Sequence, residues 1–198
     1  MVDMGHTHYN EIANDGRTIY AATRSTGQIE EGPVGFSVAN VDGGVVSWKF
    51  KPLGEWPFMM ITTRADQAFT IDPTQPDQVV RGVTAVRATA WDAKGIVSAN
   101  CRIDDGPWRP MWQIGTAPMW SCASISSEVE DGPHNIAVLA RCADDRTAAD
   151  SISLLTSQSS HYDVPARKPG DSVNSIGPYP DKGILGTQLG PNKNGRKW

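Results

Sequence analysis

Two histidines one residue apart, His6 and His8, stand in the tetrapeptide Gly5-His6-Thr7-His8. Imidazole is the commonest metal-ligating side chain, and a glycine ahead of the pair lets the backbone come close to an ion. Two imidazoles on a tight loop can point toward neighbouring metal ions. A pair of divalent ions about 3.5–4 Å apart clamps a phosphoryl oxygen and activates a water for in-line attack. Such a centre also needs carboxylates and further histidines, because two donors fill neither coordination sphere. The competing reading is two surface histidines near the N-terminus. His134 follows the turn Asp131-Gly132-Pro133 and is expected to open a strand, not to bind metal. His161 has no cluster of donors around it. These residues assign no catalytic group and no cofactor-binding loop.

The elements around the motif read as strands. Thr18 to Ala22 is one, and Gly35 to Val41 is another. After the turn signal Asp42-Gly43-Gly44, Val46, Trp48 and Phe50 alternate with Ser47 and Lys49, which is the period of a half-buried strand. The last two runs predict a hairpin. Pro52 to Pro57 ends this piece, and Pro73 and Pro76 argue against a helix or central strand in the stretch after it. We therefore divide the chain into 1–55, a linker 56–77, a second domain 78–157 and a tail 158–198. In the second domain Val97, Ala99, Cys101 and Ile103 alternate, as do Ile136, Val138, Ala140 and Cys142. Six or seven short strands at such spacing predict an antiparallel β-sandwich.

Composition narrows the classes of function. Hydrophobic residues make up 39% of the 198, enough for a core, and the net charge is −4. That balance argues against a nucleic-acid binder, since nothing offsets phosphate repulsion overall. No apolar run reaches the ~18–20 residues of a membrane span. The start of the chain has neither the basic nor the apolar region of a secretory signal. Oligomeric state is not legible. Three cysteines, Cys101, Cys122 and Cys142, leave at least one free thiol and fit no zinc-finger or thioredoxin spacing.

The Gly-His-Thr-His loop, the strand at 18–22, Arg24-Ser25-Thr26-Gly27, Glu31-Gly32-Pro33, Gly35-Phe36 and the 34–50 hairpin together resemble the end of a calcineurin-like metallophosphoesterase domain. The resemblance covers about 55 residues. It implies that His6 and His8 are metal ligands, one for each of two divalent ions (Mn, Fe or Zn), and that a phosphoester is the substrate of the intact enzyme. The family's earlier motifs are Asp-x-His, Gly-Asp-x-x-Asp, Gly-Asn-His-Asp/Glu and a lone His, and all precede the last one. Here only four residues precede Gly5. Gly170 to Asn174 echoes Gly-Asp-x-x-Asp on the wrong side of the chain and ends in Asn, so we read it as chance. The implied fold is thus mainly β: the C-terminal strands of a metallophosphoesterase α/β sandwich, then an immunoglobulin-like antiparallel β-sandwich and an irregular tail. The implied activity is metal-dependent phosphoric-ester hydrolysis, incomplete in this chain by itself.

The 131–140 run, Asp-Gly-Pro-His-x-Ile-x-Val-x-Ala, is similar to the penultimate strand of immunoglobulin-like modules appended to extracellular hydrolases. For the intact protein this keeps an extracellular or periplasmic setting open. Trp91, Trp108, Trp112 and Trp120 form either a platform for sugar or, as is commoner, core and rim packing. Cys101 and Cys142 fall on inward positions of neighbouring strands, either bonded to each other or as two buried thiols. The alternative function is a non-enzymatic immunoglobulin-like module that binds or packs at the cell envelope. The Gly/Pro-rich tail carries Ile176, Tyr179, Ile184, Leu185, Leu189 and Trp198. It is expected to lie as a strap on the phosphoesterase portion, with 165–198 mostly mobile for want of a complete docking surface.

Overall fold

The structure is a computed structural model that describes residues 1–4, 10–15, 18–24, 33–64, 66, 69, 80–81, 85–122, 129–157 and 174–178. It is mainly β, as the alternation predicts, with no α-helix among the described residues. Three sheets account for the strands.

The first sheet contains β1 (Val2–Met4), β2 (Glu11–Asp15) and β3 (Ile19–Ala22), joined by β14 (Asn174–Pro178) from the tail. Its order is β1-β3-β2-β14. β1 runs parallel to β3, whereas β2 is antiparallel both to β3 and to β14. Asn174–Pro178 of the tail therefore pairs with this part of the molecule, and the rest of 158–198 lies outside the described residues. Over Asn174–Pro178 the edge of β2 supplies the ladder partner for this Gly/Pro-containing segment.

The second sheet is the hairpin of β4 (Gly35–Asp42) and β5 (Val45–Pro52). Asp42 pairs with Val45, so Gly43-Gly44 is a two-residue loop, and both glycines have positive φ (58° and 89°). A loop of that conformation twists in the same sense as the strands it joins.

The third sheet has eight strands: β6 (Phe58–Ile61), β7 (Val80–Arg81), β8 (Val86–Trp91), β9 (Ile96–Ile103), β10 (Arg109–Gln113), β11 (Met119–Cys122), β12 (Gly132–Cys142) and β13 (Thr147–Ser157). Their order is β6-β8-β11-β10-β9-β12-β13-β7, antiparallel throughout except for the β13–β7 pair. The sheet curls on itself into a sandwich. Met59, Ala88, Ala90 and Trp120 from one half meet Ala99, Val138, Ala140 and Ile152 from the other in one core. Four alanines let the halves approach, and Trp120 and Met59 fill the space between them. β6 lies inside the stretch read as a linker (56–77). It pairs with β8 from Phe58↔Trp91 to Ile61↔Ala88.

The cysteine expectation is corrected. Cys101 is bonded to Cys122, with their Cα atoms 7.1 Å apart, and Cys142 is a buried free thiol. Register explains this. Along the β9–β12 ladder Cys101 faces Val138, while Cys142 faces Ile96 at the far end. Cys101 and Cys122 instead point into the core from β9 and β11, which flank β10.

Candidate functional site

His6 and His8 lie outside the described residues, so the site is built from what flanks them. Met4 pairs with Ala22 on one side of β3, and Glu11 pairs with the same Ala22 on the other side. The motif therefore connects the two edges of a single strand at its carboxyl end. Asn10, two residues after the motif, fixes this end further, since its Oδ1 accepts the Arg24 backbone N–H at 3.0 Å. Thr23, between Ala22 and Arg24, shares a 2.6 Å hydrogen bond with Ser37 of the hairpin. Glu11, Ile12 and Ala13 are all buried. The carboxyl ends of strands, where a parallel sheet opens, are the usual place for ligands in such sheets.

The hairpin is held to the sandwich by two charged contacts. Arg87 on β8 grips Asp42 with both arms, Nε to Oδ2 at 2.8 Å and Nη2 to Oδ1 at 2.9 Å. Lys49 on β5 donates to Met59 O, Ala149 O and Asp150 Oδ1, each at 2.8 Å. Asp150 uses its second oxygen to accept the Ile61 N–H at 2.8 Å. One ammonium and one carboxylate thereby join β5, β6 and β13.

Between the hairpin and the outer face of β9, β12 and β13 runs a cleft of about 860 Å³. Asn10 and Arg24 line it from the first sheet, and Arg102, Trp108, Leu139 and Asp150 line it from the sandwich. Trp108 lies under the Arg102 guanidinium, 4.7 Å from ring centroid to charge. That volume falls within the ordinary range of small-molecule sites.

The four tryptophans read as a platform separate into two kinds. Trp120 is 7% exposed and belongs to the core. Trp91 stacks on Phe58 with centroids 5.7 Å apart. Trp108 and Trp112 are 42% and 53% exposed. The four therefore make no single surface. His134 on β12 is engaged through both ring nitrogens: Nδ1 is 2.7 Å from Asp104 Oδ2, and Nε2 donates to Glu130 O at 2.8 Å. Burial opposes its charge, but the hydrogen bonds to Asp104 and to the Glu130 carbonyl prevail and raise its pKa. His161 lies outside the described residues, as does all of Gly170–Asn174 except Asn174.

Among the described residues no group of three or more His, Cys, Asp or Glu side chains is placed to hold a metal ion. Two imidazoles by themselves are too few donors for two ions. Nor does any described helix have the length and apolarity to cross a membrane.

No family model matches this chain, and no curated protein matches it either. Among solved structures it is similar to an endo-β-1,4-mannanase from Thermotoga petrophila, at 13% identity and a TM-score of 0.43, over 54% of this chain and 21% of that one. A likeness that slight and that partial carries no argument about what this chain does.

Proposed function

We propose that this chain is the C-terminal portion of a calcineurin-like metallophosphoesterase followed by an immunoglobulin-like sandwich. In this reading His6 and His8 are the metal ligands that it contributes to a two-ion centre (Mn, Fe or Zn). The observation that carries the reading is the pairing of the two strands that flank Gly5-His6-Thr7-His8 in sequence, β1 and β2, on either side of β3, with Met4 and Glu11 both opposite Ala22. The outer edge of β1 has no partner among the described residues, and Val2 is exposed. An edge of that kind suits a sheet to which further strands add. Bound ions would polarise the phosphoryl oxygen and activate a water. The part of this chain would be to hold two imidazoles at the end of a fixed strand, with Asn10 and Arg24 bracing the loop.

Because no group of three or more donors is placed together among the described residues, the isolated chain is expected to bind a divalent ion without hydrolysing phosphoesters. Calorimetric titration of the 198-residue chain with Mn²⁺ or Zn²⁺ tests this, alongside the double variant His6→Ala/His8→Ala. Binding lost in the double variant supports the assignment. Equal binding by both proteins overturns it. Mn²⁺-dependent turnover of bis-p-nitrophenyl phosphate, abolished by His8→Ala, would show instead that the centre is complete.

A second reading, a sandwich module that binds polysaccharide, draws on the exposed Trp108 and Trp112. It is favoured if the chain binds polysaccharide saturably in EDTA.

A further inference from the structure

The cleft between hairpin and sandwich carries more unpaired polarity than the packing of two parts requires. Its two carboxylates are matched: Asp150 takes Lys49 and the Ile61 N–H, and Asp66 takes the Ser153 N–H at 3.0 Å. Lys49 is saturated by its three acceptors. Two guanidiniums are left over. Arg24 has no side-chain partner among the described residues, and Arg102 has only the face of Trp108. Among the described residues, the Nε of Arg102 is buried without a hydrogen-bond partner, and so is the hydroxyl of Ser47, which lines the same cleft. A buried donor left unmade costs free energy that folding alone gives no reason to keep. Arginine forks fit the oxygens of a phosphate in pairs, and a half-exposed indole offers a flat apolar face beside them.

We propose that this cleft binds a phosphate ester carried on a flat ring, with Arg24 and Arg102 on the phosphate and Trp108 against the ring. The two guanidiniums match the charge of a phosphate monoester. The site uses neither His6 nor His8, so it stands independently of the metal-binding reading.

The test is calorimetric titration of the full chain with p-nitrophenyl phosphate in excess EDTA, which removes any contribution from metal. Saturable binding is expected, with p-nitrophenol and inorganic phosphate each binding more weakly than the ester. Arg24→Gln and Arg102→Gln should each weaken binding about tenfold, the loss expected for one charge-assisted hydrogen bond. His8→Ala should leave it unchanged. If Arg102→Gln loses its cooperative melting transition, Arg102→Lys replaces it, with weaker binding than wild type still expected because the fork is gone. Absence of binding in EDTA, or wild-type affinity in both arginine variants, overturns the proposal. Loss of binding in His8→Ala alone also overturns it, and would place the ester at the histidines, leaving the metal reading intact.

Discussion

His134 and Asp104 are locked together across the sandwich rim, Nδ1 to Oδ2 at 2.7 Å, with the Asn135 N–H donating to the other Asp104 oxygen at 2.9 Å. Asp104 has positive φ (48°), a conformation that its short polar side chain tolerates. The pair ties the turn after β9 to the start of β12. It also makes stability depend on pH. The folded pKa of His134 is raised above the ordinary 6.5, so its contribution is complete below that value and is lost as pH rises through the folded one. For Asp104, burial pushes the pKa up, but the Asn135 N–H and His134 outweigh it and the net shift is downward. Its contribution is therefore present above the ordinary carboxylate range and lost as pH falls.

The melting temperature of the wild type should accordingly fall between pH 6 and pH 9 by more than that of Asp104→Asn. Asp104 is 46% exposed, so water screens the pair and the difference should be no more than about 1 kcal/mol, or roughly 2–4 °C. Parallel melting curves for the two proteins across that range would show that the imidazolium contributes nothing.

Cysteine chemistry offers a separate check. Peptide mapping of the oxidised chain under non-reducing conditions should recover the Cys101–Cys122 link. Cys142 should react with iodoacetamide only after denaturation, because burial raises its pKa and Asp92 beside it adds to the effect. Replacing Cys122 by Ser should cost roughly 3 kcal/mol from loop closure across 21 positions. A Cys101–Cys142 peptide would mean that the β9–β12 register differs from the one described.

The fold is legible in the sequence wherever a local signal exists. The hairpin is announced by Asp42-Gly43-Gly44 between alternating runs, and β12 by Ile136, Val138, Ala140 and Cys142. Phe58-Met59-Met60-Ile61 escapes recognition as a strand because all four residues are buried, and a strand buried on both faces has no period. β2 reads Glu-Ile-Ala-Asn-Asp and β14 Asn-Ser-Ile-Gly-Pro, both poor in strand formers, so they are strands by virtue of their neighbours. The cleft is illegible for a different reason. Arg24 follows β3 and Arg102 lies on β9, far apart in sequence, and only tertiary packing brings both to one cleft. The histidine pair, by contrast, is a local motif, and the pairing of Met4 and Glu11 with Ala22 explains why its flanks are strands.

Gly35 gives a prediction about the hairpin. A Cβ there would collide with the Lys51 carbonyl oxygen and the Phe50 ring. The neighbour in the first contact is backbone and cannot rotate away. Gly35→Ala should therefore destabilise the chain by about 1–3 kcal/mol, the usual cost of overpacking. Gly44→Ala meets no atom and pays only for its positive φ. Urea denaturation curves for the two variants should put Gly35→Ala at the lower midpoint, and the reverse order would mean that β4 and β5 are not paired at Gly35↔Pro52.

The last prediction concerns Asp150, which closes the sandwich and holds the hairpin at once. Asp150→Ala leaves the Ile61 N–H without its acceptor and Lys49 without its countercharge, in a region where the two side chains are only 17% and 27% exposed. Lys49→Met is the milder change. Asp150 then keeps the Ile61 N–H, and the methionine side chain replaces the stem of lysine beside Phe58, whose ring centroid lies 5.6 Å from the ammonium. Removing one member of a partly buried pair costs most when it strands the other, so Asp150→Ala should cost about 2–3 kcal/mol and Lys49→Met about 1 kcal/mol. The double variant should cost less than the sum of the two, because each single change already breaks their shared bond. Hydrogen exchange locates the effect: in Asp150→Ala the amides of β5 and β6 should lose protection while those of β9 and β12 keep it. Uniform loss across all four strands would show that the hairpin and the sandwich unfold as one unit and that Asp150 is no local clasp.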